Sequence, residues 1–142
     1  MGTYDQFKTD QILETQGIIL DLGDCGKFKI ARAGGANKKF AQKFQAVTKP
    51  YRRAIQTETI DADLANKLMR QAYADSVVLG WEGVTGPDGQ PLPFSRENVL
   101  KVLEDLPSLF DEIRRFAEDA AAFRQQVLAA DAGNSVPSSA IS

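Results

Sequence analysis

Apolar residues along this chain change their spacing more than once. Between Gly17 and Arg32 they fall in two short runs, Gly17-Ile18-Ile19-Leu20-Asp21-Leu22 and Lys27-Phe28-Lys29-Ile30-Ala31-Arg32. The intervening Gly23-Asp24-Cys25-Gly26 supplies residues that tolerate positive φ, so the pattern predicts a β-hairpin. Phe28 and Ile30 alternate with Lys27, Lys29 and Ala31, which gives one buried face and one wet face. A lone hairpin is marginal in water, so it must lean on helices or pair with another strand.

After the Ala33-Gly34-Gly35-Ala36 breaker the period becomes helical. Asn37 is placed to cap a helix in which Phe40, Phe44, Val47 and Tyr51 form one stripe. Pro50 lacks the amide that would bond to Ala46, so a kink or break is expected just before it. A second helix opens at Thr59 or Asp61 and carries Leu64, Leu68, Met69, Ala72, Tyr73, Val77 and Trp81 on a broad apolar face, loosened by Gly80 near its end. Asp61 and Asp63 suit the positive end of its dipole.

The stretch from Trp81 to Asn98 sets Trp81, Val84, Leu92 and Phe94 among turn residues, which predicts a structured loop. Ser95 then caps a short helix bearing Val99, Leu100, Val102 and Leu103. Pro107 is expected as the first residue of a long final helix. In it Leu109, Ile113, Phe116, Ala120, Phe123, Val127 and Ala130 alternate spacings of four and three, a heptad seam of about three repeats.

These elements define an α+β fold, mainly α: an N-terminal β-hairpin followed by a bundle of about four helices, the last a long amphipathic C-terminal helix. Residues 1–16 are expected as an arm that touches the body through Phe7, Ile12 and Leu13. Residues 17–130 form a single globular domain, and 131–142, where Gly, Asn, Ser and Pro replace the apolar pattern, a disordered tail.

With 142 residues and 43% hydrophobic content, one domain with a real core is the default. No apolar run reaches the about 18 residues of a membrane span, and the polar start Met1-Gly2-Thr3-Tyr4-Asp5 is unlike a secretory signal, so a cytosolic protein is expected. The chain has no histidine, and its single cysteine, Cys25, has neither a disulfide partner nor an imidazole to activate it. The pairs Glu104-Asp105, Asp111-Glu112 and Glu118-Asp119 are next-neighbours on expected helices, so their carboxylates splay about 100° apart. The residues therefore point to no enzyme, no cofactor and no metal. Gly34-Gly35 followed by Lys38 and Lys39 resembles an anion-binding turn, but without the Walker or dinucleotide pattern it reads as an ordinary strand-to-helix turn.

Charge is segregated. From Gly26 to Thr57 there are nine basic residues and no acidic one, whereas the remainder holds 8 basic and 19 acidic side chains, a net charge of −11. Either the two parts pack together within one molecule, or they join copies or capture an acidic partner. Lys38, Lys39, Lys43, Arg52 and Arg53 are the candidate contacts to a neighbouring copy. The same segment could serve a small DNA-binding regulator, although Phe40, Phe44 and Tyr51 share one helical stripe and suit burial better than base stacking. For an apolar partner the candidate surface is Leu109, Phe110, Ile113, Phe116, Ala120 and Phe123, closed by Trp81 and Phe94, unless those two aromatics simply fold onto the core.

A series of short motifs appears in order. They are Ile30-Ala31-Arg32-Ala33, Pro50-Tyr51-Arg52-Arg53, Trp81-Glu82-Gly83-Val84, Asp88-Gly89, Pro93-Phe94-Ser95, Leu106-Pro107 and Phe123-Arg124. In that order, and over about Asp10 to Asn134, the chain resembles the tail assembly chaperones of long-tailed bacteriophages. The resemblance implies a non-enzymatic protein of the host cytoplasm that coats and solubilises the tape measure protein before tail-tube subunits polymerise around it. It also implies self-association, and a frameshift-extended form of the same chain that recruits the tail tube protein, this chain being the short product. Nucleic acid and membrane are not among the implied partners. The alternatives are a structural virion component of the head-tail connector or tail, and the DNA-binding regulator.

Overall fold

The computed structural model describes residues 2–124, so Val127, Ala130 and the tail expected over 131–142 lie outside the described residues. The chain is α+β and mainly α. Short helices α1 (Thr3–Phe7) and α2 (Gln11–Gln16) precede strands β1 (Ile18–Asp21) and β2 (Lys27–Ile30). Helices α3 (Lys38–Thr48), α4 (Arg52–Gln56) and α5 (Ala62–Ser76) follow, then β3 (Val78–Glu82), α6 (Arg96–Asp105) and α7 (Pro107–Glu118).

The expected hairpin forms, with a turn of 3-10 helix at Gly23–Cys25. Phe28 and Ile30 point into the core and Lys27 and Lys29 to solvent. Ala31, expected on the wet side, is fully buried because the chain leaves the strand there and its amide donates to the Val77 carbonyl at 2.8 Å.

A third strand completes the sheet in the order β1-β2-β3, antiparallel throughout. It replaces the expected end of the second helix: Val77 and Trp81 are not on that helix, which stops at Ser76. Two carbonyls there are claimed from outside the helix, that of Ser76 by the Asn37 side chain and that of Val77 by the Ala31 amide. Val78-Leu79-Gly80-Trp81-Glu82 then satisfies the open edge of β2, with Phe28 opposite Trp81 and Lys27 opposite Glu82. The register slips between Lys29 and Ile30, a bulge that brings Ile30 opposite Val78.

The helix boundaries follow local chemistry. Asp61 accepts from the Leu64 amide and Ser95 from the Asn98 amide, as expected of caps, and Pro107 opens α7. Pro50 interrupts the basic helix, where Lys49–Tyr51 form a 3-10 turn between α3 and α4. Asn37 stands at the start of α3 but makes no side-chain cap. Its amide donates instead to the Arg32 and Ser76 carbonyls at 2.8 and 2.9 Å, and it is buried.

The long amphipathic C-terminal helix is corrected: α7 ends at Glu118. The Asp119 carboxylate takes the Ala121 amide at 2.9 Å, and the Ala117 carbonyl, which a continuing helix would offer to that amide, accepts from Ala33. Ala120–Phe123 form a 3-10 turn that folds Phe123 back into the core beside Phe116, with ring centroids 6.1 Å apart.

Helix α3 packs on α5, α5 on α6 and α6 on α7, around a core that includes Tyr73, Val77, Val99, Leu103, Phe110 and Ile113. Burying a side chain of this size contributes roughly 1.5 to 3 kcal/mol. An edge-to-face series of rings, Phe40 on Tyr73 and Tyr73 on Phe110, crosses from α3 to α7 through α5. The arm is fastened to this body: the Asp10 amide donates to the Phe123 carbonyl at 2.7 Å and the Arg32 amide to the Glu14 carbonyl at 2.9 Å.

Candidate partner-binding surfaces

The apolar strip chosen from the sequence is divided by the fold. Phe110, Ile113 and Phe123 are buried, while Leu109, Phe116 and Ala120 are half-buried. Trp81 is half-buried too, packed edge-on against Phe28 and Phe94, and its Nε1 donates to the Leu92 carbonyl at 2.9 Å. Phe94 remains 41% exposed. These aromatics therefore pin the loop after β3 and do not close over the strip.

Leu109 belongs to an open groove instead. Its volume is about 690 Å³, and it runs between the 3-10 turn of the hairpin, Val84, and the junction of α6 with α7. Leu22, Phe28, Val84, Val102, Leu106 and Leu109 supply apolar walls, and Asp24, Asp105 and Glu112 lie along its rim. Leu106 is 51% exposed there. Gly26, at φ +108°, lets the turn approach the groove wall: an added Cβ would stand 2.9 Å from Val84 Cγ2 and 3.0 Å from the Glu82 carbonyl oxygen. Sequence periodicity missed the groove because its walls come from three separate segments.

The basic residues sort into two sets. Lys27 lies on the central strand, opposite Asp21 on one side and Glu82 on the other. Arg32 pairs with the buried Glu14 carboxylate, which also accepts from the Ala36 amide at 3.1 Å. Burial by itself would raise the Glu14 pKa, but the Arg32 guanidinium, the Ala36 amide and the Thr9 hydroxyl outweigh it and hold the carboxyl below its ordinary value. Lys38, Lys39, Lys43, Arg52 and Arg53 are all exposed, and none takes part in an ion pair among the described residues. Beside them Phe44, Thr48, Lys49, Arg52 and Ile55 line a shallow cleft between α3 and α4.

Among the described residues no three acidic or cysteine side chains gather to hold a metal ion, and no helix is long and apolar enough to cross a membrane. Cys25 is exposed on the turn. Burial and then the nearby Glu118 carboxylate push the Tyr73 hydroxyl well above its ordinary pKa, so it stays protonated as a core hydrogen-bonding group.

Fold and surfaces together define a small, mainly helical α+β protein with an apolar, acid-rimmed groove and a basic ridge that makes no ion pair among the described residues. The profile of the family described as YdaY prophage protein matches residues 35–134, and the chain belongs to that family. It is a phage-derived protein. No curated protein and no solved structure matches the chain.

Proposed function

We propose that this prophage protein is a tail assembly chaperone, which binds and solubilises the tape measure protein in the host cytoplasm and carries out no chemistry. The observation that carries the reading is the open apolar groove bounded by Leu22, Val84, Val102 and Leu109. A tape measure exposes apolar helix stripes until the tube encloses them, and an amphipathic helix finds its complement in such a groove. Membership of a phage family and the ordered motifs from Ile30 to Arg124 support the same assignment. In this reading the chain is the short product of a frameshifted gene pair, and its extended form brings in the tail tube protein.

Co-expression tests it. The wild-type chain should keep the tape measure protein of the same prophage soluble, and Leu109→Asp, on the groove wall, should leave it in the pellet while retaining its own helical signal. A tape measure protein that stays insoluble with the wild-type chain, and is not retained by it in a pull-down, would end the proposal.

A second reading, a structural component of the connector or tail, draws on β1, which among the described residues pairs with β2 on one side only and leaves an edge for a neighbouring strand. Mass spectrometry of finished particles separates the two. An assembly helper is absent from them, and a structural part is present in fixed proportion.

A further inference from the structure

The groove between the hairpin turn and the α6–α7 junction has apolar walls and a rim of one sign. Leu22, Phe28, Val84, Val102 and Leu109 are buried or half-buried in its walls. Asp24, Asp105 and Glu112 are exposed along its edge, and among the described residues none of its lining side chains is basic. Glu112 is paired with Arg115 at 2.9 Å, whereas Asp24 and Asp105 join no ion pair among the described residues.

Walls and rim constrain an occupant differently. A helix laid on the walls must enter with apolar side chains at the three- and four-residue spacings of one face, because a charge on that face would lose its water without gaining a partner. Positions flanking the stripe stay wet and lean over the rim. There an acidic side chain meets like charge, and a basic one meets Asp24, Asp105 and Glu112.

We propose that the groove selects, among apolar helix faces, those flanked by lysine or arginine, so that its occupant is a basic amphipathic helix of the client chain. The inference rests on the chaperone reading of the groove and adds the charge that the bound segments of the client carry. Client stretches with the same apolar spacing but acidic flanks are left uncoated. The rim charges are exposed, so the preference fades as the screening length falls from about 10 Å at 0.1 M salt to about 3 Å at 1 M.

Two synthetic amphipathic helices of about 16 residues, long enough to hold helical structure, test this. They share one leucine stripe and differ only in flanks of lysine or of glutamate. Fluorescence anisotropy with the full wild-type chain in low salt should show the lysine-flanked helix binding at least tenfold tighter, and near 1 M salt the two should converge. D24N/D105N should remove most of the preference and D24K/D105K should reverse it, with circular dichroism unchanged because both positions are exposed. Leu109→Asp should weaken both helices. The exposed thiol of Cys25 lines the groove and reports its occupancy in the unaltered chain, so the lysine-flanked helix should slow alkylation of Cys25 by iodoacetamide.

Equal affinities, tighter binding of the glutamate-flanked helix, no binding of either, or a preference that survives D24N/D105N would overturn the inference. So would binding that leaves Cys25 alkylation and the Leu109→Asp chain unaffected, since the lysines would then be held by acidic surface outside the groove. If the two helices bind alike while the wild-type chain still solubilises the tape measure protein, the charge selection falls and the chaperone reading stands. If the lysine-flanked helix is preferred while the tape measure protein stays insoluble, the reverse holds.

Discussion

The side-chain amide of Asn37 donates to the carbonyl of Ser76 at 2.9 Å, across 39 positions of sequence, and so ties the start of α3 to the end of α5. A second donation, to the Arg32 carbonyl at 2.8 Å, uses the other amide hydrogen. The residue sits where a cap is expected and serves as a buried clasp.

Two substitutions distinguish clasp from cap. Asn37→Asp keeps a good capping residue but removes both donors, so it should destabilise the fold by about 2 to 4 kcal/mol, as should Asn37→Ala. Urea denaturation reads the change as a lower midpoint with an unaltered slope. Were Asn37 only a cap, the aspartate would be nearly neutral.

Arm docking should depend on pH through Glu14. Its folded-state pKa is lowered, so the stabilisation is complete above the unfolded-chain value of about 4.3 and is lost as pH falls through the folded value. Protection factors over residues 11–16, which correct for the slower intrinsic exchange in acid, should fall with pH before those of the helices around Tyr73 do. Glu14→Gln should show fast exchange of that segment already at pH 7, by the about 1 to 3 kcal/mol that a broken buried pair costs here.

Two glycines in the hairpin turn should respond differently. Gly26→Ala meets Val84 and the Glu82 carbonyl at a φ of +108° and should cost about 2 kcal/mol or more, disturbing the groove wall. Gly23→Ala, at φ +64° with open space around it, should cost about 1 kcal/mol. Thermal denaturation of the pair gives the order, and equal losses would argue against the close approach.

Trp81→Phe keeps the ring contacts with Phe28 and Phe94 but orphans the Leu92 carbonyl, an acceptor that the loop needs. A loss of about 1 to 2 kcal/mol is expected. Faster amide exchange should follow in the loop between β3 and α6, with little change in α3.

Much of the secondary structure was legible because its causes are local. Asp61, Ser95, Pro107 and Pro50 set boundaries through their own backbone chemistry, and the alternation at Phe28 and Ile30 fixed the hairpin's faces. The strand at Val78–Glu82 was hidden because Leu68, Ala72, Tyr73 and Val77 run into it at helical spacing. Its conformation is decided by pairing with Lys27–Ile30, about fifty positions away. The seam from Leu109 to Phe123 has the spacing of one helix, but the Ala33 amide takes the Ala117 carbonyl and the Asp119 carboxylate takes the Ala121 amide, the two groups that a continuing helix would join.

By itself the sequence determined the hairpin, the caps at Asp61 and Ser95, the segregation of charge and the absence of histidine, since each depends on residues next to one another or on composition alone. Only the tertiary structure decided which apolar side chains are consumed by the core and which remain open. Phe110 and Phe123 lie inside while Leu109 faces the groove, although all three belong to one candidate apolar surface. Periodicity tells which residues share a face; what covers that face is a property of the segments that arrive from elsewhere in the chain.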